Sequence, residues 1–175
     1  MQTTLASSQL NLDGIESGLG AGVKQVRIGG NVTAASYTDI SDWTLLSVQG
    51  DSTTLTLSDP RFILGQYRDA NRDFDTTKFA EVIVYDDELT EAETDKIESY
   101  LAIKYGFTLG HDYLATDGTL VYPVDSNPHP YINQIAGIAR QDSSGFQQKQ
   151  SRSQEGSALI TMGMGRIDST NTATT

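Results

Sequence analysis

The chain has 175 residues, of which 37% are hydrophobic and 20% charged, with a formal net charge of −11. An acidic surface repels phosphate backbones and anionic headgroups, which speaks against nucleic acid as a partner, and no apolar run reaches the roughly 18 residues that a membrane span needs. Cysteine is absent, so disulfides, thiolate metal sites and cysteine nucleophiles are excluded.

Residues 1–22 are polar and glycine-rich and read as loop or a weak first strand. The start, Met1-Gln-Thr-Thr-Leu-Ala-Ser-Ser, lacks a basic region followed by an apolar stretch and is not a signal peptide. The chain is expected to be part of a longer protein. Val23-Lys-Gln-Val-Arg-Ile28 is a strand candidate closed by Gly29-Gly30-Asn31, and 31–41 reads as loop. Trp43-Thr-Leu-Leu-Ser-Val48 is rich in strand formers. Thr53-Thr-Leu-Thr-Leu57 alternates polar and apolar with period 2, and Phe62-Ile-Leu-Gly-Gln-Tyr67 follows after Pro60. Phe79-Ala-Glu-Val-Ile-Val-Tyr85 is apolar enough to be buried on both faces. Strands near ten-residue spacing with turns between them predict a sandwich or barrel.

One helix is predicted at about 91–105. Thr90-Glu-Ala-Glu93 has the capping-box pattern, Glu91 and Glu93 suit the positive end of the dipole, Lys104 suits the last turn, and Gly106 suits the C-terminal cap. Ile97, Tyr100, Leu101 and Tyr105 are predicted to share its core face. Beyond it, Thr119-Leu-Val-Tyr-Pro-Val124 is a further strand candidate. Three more, at 132–140, 146–151 and 158–163, suggest a small antiparallel meander. Residues 168–175 read as a flexible tail.

The run Phe79-Ala-Glu-Val-Ile-Val-Tyr85, followed by Leu89-Thr-Glu-Ala-Glu93 and a helix ending Tyr100-Leu-Ala-Ile-Lys-Tyr-Gly106, resembles the closing segment of bacterial laminin G/concanavalin A-like domains. Phe62–Tyr67 and Asp42-Trp-Thr-Leu-Leu-Ser47 are similar to earlier strands of that family. Ile135-Ala-Gly-Ile-Ala-Arg140, with Gln147-Gln-Lys-Gln-Ser151, is similar to an uncharacterised region that follows such sandwiches in large bacterial surface proteins. The resemblance implies a mainly β fold, an antiparallel β-sandwich of the concanavalin A/laminin G jelly-roll type with one short helix. The expected organisation is a sandwich over 1–106, a small β extension over 107–167 and a tail over 168–175. A full family member carries more chain ahead of the helix, so the N-terminal part of the sandwich is expected to be truncated, or completed by the C-terminal meander.

Asp69, Asn71, Asp73 and Asp75 place four oxygen-bearing side chains in seven residues, a pattern that can wrap calcium. It resembles the start of an EF-hand loop, but Phe74 stands at the glycine position, Ala80 at the bidentate glutamate position, and Arg68 and Arg72 add positive charge. The alternative is a solvated hairpin loop. Asp86-Asp87-Glu88 reads as a turn that complements the helix dipole. Trp43 and Tyr67, with Arg68 and Asn71, are the candidate ligand-binding residues; Tyr85, Tyr100 and Tyr105 are expected to pack in the core. His111 and His129 have no companion at ligand spacing and are expected to face solvent. Glu81, within an apolar strand, is expected to pair with Arg61 or Arg68. No paired-carboxylate strand, Gly-x-Ser-x-Gly elbow or Walker loop occurs, so the chain reads as a non-enzyme. The function implied by the resemblance is an extracellular or cell-surface module that binds a glycan or glycoprotein. The alternative is a structural module that pairs with neighbouring modules or copies of itself through open sheet edges. Calcium is the only cofactor the residue pattern suggests, and neither nucleic acid binding nor membrane insertion is expected.

Overall fold

The structure is a computed structural model that describes residues 2–7, 23–33, 43–50, 78–124, 132–133, 135–141, 146–153 and 160–165. Among these the chain is mainly β, with small antiparallel sheets and one helix. It divides into two compact units, Met1–Thr90 and Glu91–Thr175. The division precedes the helix, whereas the sequence placed it after Gly106.

The first unit holds a five-stranded antiparallel sheet in the order β3-β2-β4-β1-β5. Its strands are β1 (Gln2–Ser7), β2 (Val23–Ile28), β3 (Asn31–Thr33), β4 (Thr44–Gly50) and β5 (Phe79–Tyr85). β2 and β5 fall where the apolar patterning predicted them. The weak N-terminal segment contributes β1, which pairs with β4 on one side and β5 on the other. β3 lies in the segment read as loop; it is the short return arm of a hairpin turned by Gly29-Gly30.

In β4, Leu45 through Gly50 are all buried, on both faces of the sheet. One face is apolar, with Val26 opposite Val48 and Ile28 opposite Leu46. The other carries Gln25 opposite Gln49 and Arg27 opposite Ser47, and Arg27 Nε donates to Gln25 Oε1 at 3.1 Å. Gln49 Nε2 donates to the Leu89 carbonyl at 2.8 Å, joining the sheet to the end of the unit. Burial on both faces was expected of β5, but Ala80 and Val84 are exposed, Val84 by 43%. β5 ends the order of described strands, whereas β4 has neighbours on both sides. Glu81 is half-buried, and Arg61 and Arg68 lie outside the described residues.

The second unit is built on α1 (Glu91–Tyr105). The helix matches the predicted span, but its buried face differs. Thr94, Glu98, Ser99, Leu101 and Ala102 are buried, while Ile97, Tyr100 and Tyr105 are only half-buried. The most enclosed stripe therefore carries polar groups that require partners.

The helix stops at Gly106, whose φ of 74° is the left-handed conformation that a glycine adopts without strain. The Phe107 amide donates to the Ala102 carbonyl at 2.9 Å, closing a Schellman-type cap. Two further end carbonyls are capped from afar: Ser151 Oγ donates to Ile103 O at 3.2 Å and Gln148 Nε2 to Lys104 O at 3.3 Å. Lys104 Nζ lies over the rings of Tyr100 and Tyr105.

After the helix come β6 (Tyr113–Leu114) and β7 (Leu120–Tyr122), paired as a hairpin. Next are β8 (Ala139–Gln141) with β9 (Phe146–Gln148), and β10 (Gln150–Arg152) with β11 (Thr161–Gly163). The three strand candidates of the expected antiparallel meander carry two successive ladders, which change over at Lys149, whose carbonyl accepts from the Met164 amide at 2.9 Å. The buried core of this unit is Leu101, Ala102, Phe107, Leu109 and Tyr113.

Candidate functional site

α1 presents chemistry on two faces. On one, Lys96, Tyr100 and Ile103 stand at i, i+4, i+7 spacing and form a wall of a groove of about 490 Å³. The β6–β7 hairpin supplies Tyr113, Leu114, Val121 and Tyr122, and its turn supplies Asp117. Residues 135–140 form the opposite wall. That wall approaches the helix closely: a Cβ on Gly137 would lie 3.2 Å from Ile103 Cγ2.

The aromatic part of the groove is held from below. The Tyr113 and Tyr122 rings meet edge to face, with centroids 6.0 Å apart. The Tyr113 hydroxyl donates to the Phe107 carbonyl at 2.9 Å and accepts from the Leu109 amide at 3.0 Å. Burial pushes its pKa up to about 12, with the Leu109 amide opposing and Tyr122 adding to the rise. At the rim, Asp117 accepts from the Thr119 amide at 2.9 Å, which holds its carboxyl below the usual range.

The other face of α1 carries Asp95 and Glu98, which meet His111 from the loop before β6. His111 Nε2 lies 2.8 Å from Glu98 Oε2 and 3.8 Å from Asp95 Oδ1. Glu98 is fully buried, whereas the Asp95 and His111 side chains are 24% and 17% exposed. The second ring nitrogen, Nδ1, is 2.9 Å from the Asp112 carbonyl oxygen. Burial by itself would lower the His111 pKa. The bond to Glu98, the Asp112 carbonyl and the charges of Asp95 and Glu98 outweigh it, and the pKa is raised above 6.5. The loop is fixed further: Ser99 Oγ donates to Asp95 O at 2.6 Å and accepts from the Leu114 amide at 2.9 Å, and Asp112 Oδ1 accepts from the Val124 amide at 2.6 Å.

His111 therefore does not stand alone facing solvent, as its sequence neighbourhood suggested. Its companions are distant in sequence and come together only when the chain reverses at Gly106. The one signal available was the i, i+3 carboxylate pair on a well-capped helix followed by a histidine in the next loop.

Trp43 lies just ahead of β4 and is 38% exposed. Tyr67, Arg68 and Asn71, and the calcium candidates Asp69, Asn71, Asp73 and Asp75, lie outside the described residues, as do the strand candidates at 53–57 and 62–67 and His129. The Asp86-Asp87-Glu88 cluster forms bends after β5, with Asp87 Oδ1 accepting from the Glu88 amide at 2.8 Å and Glu88 paired with Lys24. Tyr85 is half-buried, and Tyr100, expected in the core, lines the groove.

Residues 93–175 match the model of one family, described as a domain of unknown function (DUF8202). The match begins inside α1 and spans the groove and the Asp95, Glu98 and His111 cluster. No curated protein and no solved structure matches the chain. No described helix is long and apolar enough to cross a membrane.

Proposed function

We propose that the chain is a non-catalytic binding module of a secreted or surface-displayed protein, and that the groove of the second unit takes a carbohydrate. The observation that carries this reading is the groove's composition. Its volume lies within the range of small-ligand sites, roughly 300–1,000 Å³. The half-buried Tyr100 and Tyr122 offer ring surface suited to the apolar faces of a sugar, and Lys96, Asp117 and Arg140 bring both charges to hydrogen-bond hydroxyls.

For the first unit the proposed architecture is one sheet of a concanavalin A/laminin G-like sandwich. Two observations support it: β4 is covered on both faces, and β1 inserts between β4 and β5, a non-sequential order of the kind found in Greek-key sandwiches.

The test is a glycan array probed with the whole chain, followed by titration of the best hit against Tyr122→Ala and Lys96→Ala. Far-UV circular dichroism checks folding. The expected result is saturable glycan binding that falls about tenfold or more in Tyr122→Ala. An array without hits, or a hit indifferent to both changes, rejects the groove as a glycan site.

A further inference from the structure

The groove does not involve the opposite face of α1, and the side chains there form a mixed nitrogen–oxygen donor set. We infer that Asp95, Glu98 and His111 form a binding site for a divalent first-row transition ion, with Zn²⁺ the best fit.

Each residue offers one ligand atom, and the three atoms lie within 4.8 Å of one another. Zinc bonds of about 2.0–2.2 Å in a tetrahedral arrangement place neighbouring donors roughly 3.3 Å apart. The two separations from His111 Nε2, 2.8 Å to Glu98 and 3.8 Å to Asp95, bracket that value. Shifts of about half an ångström bring both of these pairs to that spacing, and Asp95 is the most exposed of the three side chains.

The imidazole is already oriented as a ligand. Its Nδ1 faces the Asp112 carbonyl, an acceptor only, so Nδ1 carries hydrogen and Nε2 is the atom turned toward both carboxylates. Metal-bound histidines are typically held by this kind of outer hydrogen bond.

The donor chemistry selects the ion. One imidazole with two carboxylates suits a borderline ion such as Zn²⁺ better than Ca²⁺, which takes 6–8 oxygen ligands. Exposure on the Asp95 and His111 side leaves solvent access for a further ligand. The ion would bridge α1 to the loop before β6, so its binding should stiffen the second unit.

The experiment is calorimetric titration of the whole chain, purified without a histidine tag, with Zn²⁺ and separately with Ca²⁺ at pH 8. Melting temperature and Co²⁺ absorption are read in parallel. The expected result is about one Zn²⁺ per chain with micromolar affinity, a raised melting temperature, and visible Co²⁺ bands that Zn²⁺ abolishes. Asp95→Asn and His111→Gln should each weaken Zn²⁺ binding by about tenfold or more, while Asp86→Asn, in the exposed bend after β5, should leave it unchanged. If His111→Gln fails to fold, Asp95→Asn carries the test alone, because Asp95 is partly exposed. Absence of saturable Zn²⁺ binding, a preference for Ca²⁺, or unchanged affinity in Asp95→Asn would overturn the assignment.

Discussion

Glu98 and His111 meet at 2.8 Å, one from the fully buried face of α1 and the other from the loop that follows it. The Asp112 carbonyl keeps hydrogen on Nδ1, and the carboxylate opposite Nε2 favours hydrogen there as well. The folded protein thus holds the imidazolium more tightly than the unfolded chain does. A raised folded pKa gives stability that is fully present below about pH 6.5 and is lost as pH rises through the folded value. In chelator-treated solution, the urea midpoint should fall between about pH 6 and pH 9 in the native chain more than in His111→Asn. Parallel curves would show that the pair does not couple to folding.

Tyr113 ties Phe107 to Leu109 through a single hydroxyl that donates to one backbone group and accepts from the other. Tyr113→Phe keeps the ring but orphans a buried carbonyl and a buried amide. The expected loss is about 2 kcal/mol of unfolding free energy, measured by urea denaturation. A loss below about 0.5 kcal/mol would mean that the two groups find other partners.

Gly118 turns the β6–β7 hairpin with φ of 89°, and its amide donates to the Ala115 carbonyl at 2.9 Å. An added Cβ would meet Lys96 Cε at an ordinary 3.5 Å, so the penalty for Gly118→Ala is backbone strain rather than a clash. It should cost about 1–2 kcal/mol. Gly118→Asn should recover part of that, since asparagine tolerates the left-handed region better. Equal melting temperatures for the alanine variant and the native chain would contradict the strained turn.

Ser151 caps α1 from a strand far along the chain, through its bond to Ile103 O. Ser151→Ala should cost about 1 kcal/mol and should speed amide exchange at the helix C-terminus more than at its N-terminus. Uniform exchange along the helix would place its stability elsewhere.

The parts of the fold legible in the sequence are those whose signals are local. The span of α1 follows from residues at its own ends, Thr90 to Glu93 at the start and Gly106 at the stop. β2 and β5 announce themselves by runs of strand-forming residues. β1 was only faintly legible because Gln2–Ser7 has little apolar pattern; it is a strand because β4 and β5 pair with it on both sides. The buried stripe of α1 was misread for a related reason. Patterning favoured Ile97 and Tyr105, but Glu98 and Ser99 are the ones enclosed, with partners supplied by the loop that follows the helix and by β6.

From the sequence alone came a mainly β chain with one helix, an acidic surface and no cysteine chemistry, because composition and short-range periodicity carry that information. Tertiary structure alone decided that the helix begins the second unit, that Tyr100 faces a groove, and that His111 has two carboxylates beside it. Each of these depends on contacts between residues separated by a chain reversal, and neither composition nor spacing encodes which face of an element the reversal will cover.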